Sequence, residues 1–254
     1  MDVAALLNLT YCELLKLRHS KMISISVLGA VAVPFMLLVE ELQTHAEHPE
    51  EKILLDQVYA NSVLYMLILA NMMVSVAIAS YLFSREYAEN TWKTILPLPI
   101  SRTKVLAGKF LTLFIWDLGL TLVSWFSILF FSGIFHAIFG MSEYSLFTAF
   151  RWIPKYFLLT IFMFATTTPF VYIAQKTKGF VAPMITSAVI VLGSAALCNQ
   201  EWGALYPWTA SVLLLQGRVE GTGYPVWLSI TILIFVSGIG FMLTFLHFKK
   251  EDLK

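Results

Sequence analysis

The chain has 254 residues, 58% of them hydrophobic and 13% charged, with 17 Lys and Arg against 16 Asp and Glu for a net charge of +1. A mean hydropathy of +0.76 excludes a soluble globular domain, and the near-zero charge excludes a global field that would draw nucleic acid or an acidic substrate. Long unbroken apolar runs exclude a membrane β-barrel, so the expected class is an all-α integral membrane protein, one domain over residues 1–254.

Residues 1–21 place Val3, Leu6, Leu7, Tyr11, Leu14 and Leu15 at helical spacing, with Asn8, Glu13, Lys16 and Arg18 elsewhere on the wheel. This predicts an amphipathic interfacial helix, too polar to span; an extension of the first span is the alternative. The start MDVAALLN lacks a cationic region, and no small-residue cleavage site follows the first apolar run, which is therefore expected to stay in the protein as a span. Cys12 and Cys198 are expected to be buried thiols, too far apart in the topology for a disulfide.

Six spans are predicted, at about Met22 to Val39, Val58 to Phe83, Val105 to Phe135, Ile153 to Ala174, Phe180 to Cys198 and Val226 to Phe248. The third run is longer than a bilayer needs, so it must tilt or project. Between the first two lies an acidic segment, Glu40 to Gln57, read as a solvated loop; His45 and His48 among its carboxylates give only weak grounds for a metal site, and none is assigned. The 199–225 segment carries an apolar stretch, Leu205 to Leu215, too short to cross, which predicts a re-entrant or interfacial helix with Trp202, Trp208 and Trp227 in an aromatic belt.

The polar interruption at 84–104 concentrates charge in a charge-poor chain. Asn90 tolerates the left-handed backbone that ends a helix, Thr91 can cap the next one, and Trp92, Ile95 and Leu96 share a side of the short helix that follows. Pro97 and Pro99 end it, and Arg102, Lys104 and Lys109 mark the start of the third span as a cationic end. With the N-terminus inside, inner segments hold Lys16, Arg18, Lys21, Arg85, Lys93, Arg102, Lys104, Lys109, Lys176, Lys178, Lys249, Lys250 and Lys254. Outer segments hold only Lys52, Arg151, Lys155 and Arg218, a bias that predicts cytoplasmic termini and a cytoplasmic 84–104 loop.

Several polar or kinking positions lie within the spans. Asp117 is the ionisable residue well inside one, either a pathway or relay residue or a hydrogen-bonded pin of helix packing. Asn71 is read as interhelical glue. Pro169, after Thr166, Thr167 and Thr168, should kink the fourth span, with threonine hydroxyls satisfying freed carbonyls; a hinge is the sharper reading. An ion- or proton-coupled secondary transporter built on Asp117 is the alternative function.

No catalytic set is found: there is no G-x-S-x-G elbow and no H-E-x-x-H, and the Glu40-Glu41 pair alone supports a membrane-embedded enzyme. There is also no Walker A loop, because Gly108-Lys109 lacks both a glycine-rich cradle and a following hydroxyl, so any ATP and magnesium would be bound by another chain.

The order Arg85-Glu86, Asn90-Thr91, Leu96-Pro97-Leu98-Pro99-Ile100-Ser101-Arg102, then Gly108-Lys109, resembles the E…GT…LP(V/I)SR…GK pattern between the second and third spans of ABC-2 type permeases, with Asn90 where glycine is usual. Length and the LYPWTASVLLLQG segment are similar to the lantibiotic-immunity and bacitracin-resistance branch. The resemblance implies the permease subunit of an ATP-driven exporter of hydrophobic or amphipathic compounds, such as a peptide antibiotic. It also implies two cytoplasmic ATP-binding subunits and a second permease. Carried over by position, Glu86, Thr91, Trp92, Lys93, Ile95, Leu96 and Arg102 belong to the element that couples to the ATPase, with no cofactor in this chain.

Overall fold

The computed structural model describes residues 3–18, 20–50, 52–89, 91 and 101–250. Their elements are α1 (Val3–Arg18), α2 (Met22–Glu47), α3 (Leu55–Ile68), α4 (Ala70–Ala88), α5 (Arg102–Phe139), α6 (Leu146–Arg151), α7 (Ile153–Thr177), α8 (Val181–Leu197), α9 (Pro207–Gln216) and α10 (Val226–Lys250), with 3-10 turns at Glu201–Leu205 and Glu220–Thr222. Among the described residues there is no strand, only an isolated bridge between Leu54 and Ser142.

The distribution of side chains is that of a protein in lipid. Large apolar residues face outward in stripes, such as Val181, Ile185, Val189 and Leu192 on α8 and Phe126, Phe130 and Ile134 on α5. A patch of this extent is not tolerated in water. Inside the bundle the buried residues include Ser26, Ser62, Asn71, Ser75, Thr112, Thr121, Ser124, Thr160 and Thr167. Lipid tails are as apolar as leucine, so close packing of small residues and interhelical hydrogen bonds take over the work that apolar burial does in soluble proteins. Five segments, α2, α3–α4, α5, α6–α7 and α10, are long and apolar enough to cross, and α8 is a shorter apolar helix of 17 residues.

Two prolines inside helices leave carbonyls that the interior must satisfy. Pro34 lies within α2 and cannot donate to the carbonyl of Ala30, four residues earlier. Ser124 Oγ of α5 donates to that carbonyl at 2.8 Å, and Asn71 Nδ2 of α4 donates to Ser124 Oγ at 3.0 Å. Asn71 is thus glue between helices, and what it mends is a proline break on a third helix. Pro169 in α7 frees Ala165 O in the same way, and Thr168 Oγ1 donates to it at 2.9 Å and to Ser237 O of α10 at 3.1 Å. Opposite the kink sits Gly240, where a Cβ would lie 2.6 Å from Thr168 Oγ1 and 2.7 Å from Pro169 N. The glycine admits α10 against the backbone of α7.

Several expectations are corrected. The second span is two helices, broken at Leu69 with φ −110° and ψ −99°, although amide bonds from Leu69 to Tyr65 O and from Met73 to Leu69 O carry the ladder across. The first half of the acidic segment is helical, because α2 runs on to Glu47, and Glu41 is buried. Trp208 is not in an aromatic belt: α9 folds back into the bundle and packs it 5.9 Å from the ring of Phe170, beside the α7 kink. Trp202 and Trp227 are exposed. Both cysteines are free, but Cys12 lies exposed on the outward face of α1 and Cys198 is partly exposed.

Candidate coupling site at the base of the 84–104 loop

Trp92, Lys93, Ile95 and Leu96 of the predicted loop helix lie outside the described residues. What the structure describes is the base from which that loop springs. The last turns of α4 and the first turns of α5 meet there, with α1 laid across them.

α1 carries its apolar residues Leu7, Tyr11 and Leu15 outward, while Thr10, Glu13 and Leu17 pack inward. The helix therefore turns Thr10, Glu13 and Leu17 to the bundle and leaves Leu7, Tyr11 and Leu15 on its outer side. Gly108 makes the crossing possible: a Cβ there would lie 3.2 Å from Leu9 Cβ and 3.8 Å from Thr10 N. The next residue, Lys109, is 1% exposed and sits between helices α1 and α4. Its Nζ donates to both carboxylate oxygens of Glu86 at 2.6 Å and to Leu82 O. Glu13 Oε2 of α1 lies 3.6 Å from the same ammonium.

Lys16 completes the set, 2.6 Å from Glu13 Oε1 and 3.5 Å from Glu86 Oε1. Two carboxylates and two ammonium groups balance. Burial works against the Lys16 charge, but Glu13 and then Glu86 outweigh it and hold its pKa above the usual lysine value, so the group stays cationic. An isolated buried ion costs several kcal/mol, so Glu86 and Lys109 each depend on the other. The sequence marks Lys109 as part of the Gly108-Lys109 motif and of a cationic helix start, and does not reveal this pairing. A lysine followed by long apolar sequence, 23 residues after a glutamate, was the available signal.

The remaining described loop residues tie the base further. Thr91 N donates to Glu86 O at 3.1 Å, closing the end of α4 with the long-reach bond typical of helix C-termini. Arg85 bonds Glu89 at 2.8 Å and reaches Lys16 O at 3.4 Å. Arg102 Nη1 donates to Phe248 O of α10 at 3.2 Å, joining the start of α5 to the end of the last helix. Glu86 is thus a buried structural tie at the root of the loop.

The intramembrane candidates lie elsewhere. Asp117 is fully buried in α5 and neither carboxyl oxygen has a hydrogen bond among the described residues. Ser75 of α4 is close enough to interact with it but exchanges its hydrogen bond with Thr167 Oγ1 of α7 at 3.1 Å. Asp117, Ser75 and Thr167 thereby meet where α4, α5 and α7 converge, while Pro169 lies one half-turn further along α7. Among the described residues no three His, Cys, Asp or Glu side chains come together as a metal site.

These features define a class: a polytopic helical membrane protein whose polar loop is rooted in a buried ion cluster. Residues 9–194 match the ABC-2 family transporter protein, and the chain belongs to that family. It is therefore the membrane subunit of a transporter and associates with a separate ATP-binding subunit. It is also similar to the bacitracin transport permease protein BCRB of Bacillus licheniformis, 29% identical over 208 residues, which cover 82% of this chain and 98% of that one.

Proposed function

We propose that this permease exports or extracts an amphipathic peptide antibiotic from the membrane, and that the 84–104 loop receives force from the ATP-binding subunit. The observation that carries the coupling is the base of the loop. Glu86 at one end is held by Lys109, Glu13 and Lys16, and Arg102 at the other is bonded to the end of α10. A displacement of the loop is delivered at once to α1, α4, α5 and α10. Docking transmits free energy only if the contact differs between the open and closed states of the ATPase, which is the role assigned to Thr91, Trp92, Lys93, Ile95 and Leu96. ATP and magnesium belong to the partner, with two copies of it and a second permease completing the complex.

The substrate class is supported by the likeness to a bacitracin permease along nearly the whole of that chain. The lysine and arginine distribution supports a cytoplasmic loop. Contacts group the charged segments at one end: Lys16 meets Glu86, Lys178 lies 5.2 Å above the Tyr87 ring, and Arg102 meets Phe248. The test is co-purification with the ATP-binding subunit in mild detergent, followed by peptide-antibiotic tolerance in a deletion strain complemented with Lys93→Glu. The expected result is retained assembly of the parent and lost tolerance in the variant. A parent that recovers no ATPase and confers no tolerance overturns the reading.

A further inference from the structure

At the end of the bundle opposite the ion cluster, where α2 meets the start of α3, a cavity of about 160 Å³ opens between the helices. Leu37, Ile53 and Val58 form its apolar wall, and Glu40, Glu41 and Lys52 bring three charges to it. Glu41 is only 6% exposed. Its Oε1 accepts from Ser132 Oγ at 3.2 Å, but its Oε2 is buried with no partner among the described residues. Glu40 Oε2 accepts from Tyr65 OH at 3.3 Å and has capacity left. Lys52 makes no ion pair with either acid within 4.0 Å.

A buried carboxylate oxygen without a donor is costly, and the cavity beside it is where a donor can be received. With Glu41 ionised, Glu40, Glu41 and Lys52 sum to one negative charge, so a single cationic group balances the site. An apolar wall beside the two carboxylates suits a cation on an alkyl stem, and Thr44, Gln57 and Asn61 on the same lining can accept its remaining N–H bonds. The volume holds a short aminoalkyl group and no more.

We propose that this cavity binds the primary ammonium and alkyl stem of an amphipathic ligand, with Glu41 as its main partner, Glu40 as its second and Lys52 excluding a second positive charge. Identifying that ligand with the transported compound rests on the permease reading above. The cavity's chemistry does not depend on it.

The experiment uses the full chain in phosphatidylcholine nanodiscs and dansylcadaverine, a fluorophore on a pentylammonium stem, with its N-acetylated neutral form as control and empty nanodiscs as the background. Expected are saturable polarisation with dansylcadaverine and none with the acetylated form. Affinity should fall about tenfold or more in Glu41→Gln and about threefold in the exposed Glu40→Gln. Lys52→Ala, at an exposed position that folding does not depend on, should tighten binding about twofold to threefold. Equal binding of the two probes, parent affinity in Glu41→Gln, no change in Lys52→Ala, or displacement of the probe by millimolar calcium each overturns the proposal. Binding is read without ATP. A failed ATPase partnership therefore abolishes tolerance and leaves probe binding, whereas an unsuitable cavity abolishes probe binding in a complex that still assembles.

Discussion

Lys109 shows how much one residue can decide. Its ammonium is inaccessible to water and held by Glu86, so removing either partner leaves the other as an unpaired buried charge. Lys109→Met is expected to destabilise the permease by about 3–5 kcal/mol, seen as a lowered midpoint of thermal denaturation in detergent, and Glu86→Gln by a comparable amount. The double variant Glu86→Met with Lys109→Met removes both charges and should recover most of the loss, since an apolar pair of similar volume often replaces a buried ion pair without penalty. It should still fail to confer drug tolerance, because the loop has lost its tie to α1. A single Lys109→Met variant as stable as the parent would mean that the pair is not buried in the working protein. Ser124 makes a second test: Ser124→Ala frees both Ala30 O beside Pro34 and the amide of Asn71, and should cost about 1–3 kcal/mol in the same assay.

At the scale of elements, the contact between α7 and α10 separates two glycines that look alike in the sequence. Gly240→Ala sets a methyl group 2.7 Å from Pro169 N, a backbone atom that cannot move aside, and should cost about 1–3 kcal/mol. Gly238→Ala meets nothing within 4 Å and should be neutral or gain up to about 1 kcal/mol from helix propensity. Equal effects at the two positions, read as denaturation midpoints, would contradict the close crossing at the kink. The same elements show what the sequence made legible. Apolar runs located the helices because a span needs about 20 apolar residues whatever it packs against. The threonine bond to the carbonyl that Pro169 frees is legible because proline's missing donor is a local fact. The break at Leu69 is not, since no Gly or Pro marks it. The burial of Trp208 and of Glu41 is not legible either: tertiary contacts from α7 and α5 cover residues that their local surroundings present as exposed. Glu86 and Lys109 were each visible as motif letters, but their pairing needed α1 and the glycine at 108.

For the whole molecule, the two native cysteines offer a direct reading of topology. Between Cys12 and Cys198 the chain passes through α2, α3–α4, α5, α7 and α8, an odd number of crossings if each of these spans. The uncertain member by length is α8, whose 17 residues extend only ~26 Å against a hydrocarbon core of about 30 Å. Its outward stripe of Val181, Ile185, Val189 and Leu192 belongs in lipid along its full length, and a bilayer thins locally to match a short helix at modest cost. Cys12 and Cys198 are then on opposite sides, and the lysine and arginine bias predicts that Cys12 is the inner one. A membrane-impermeant maleimide should modify Cys198 and spare Cys12 in spheroplasts, and do the reverse in inverted vesicles, with Cys12→Ser and Cys198→Ser assigning the two signals. Labelling of both from the same side would mean that α8 does not cross.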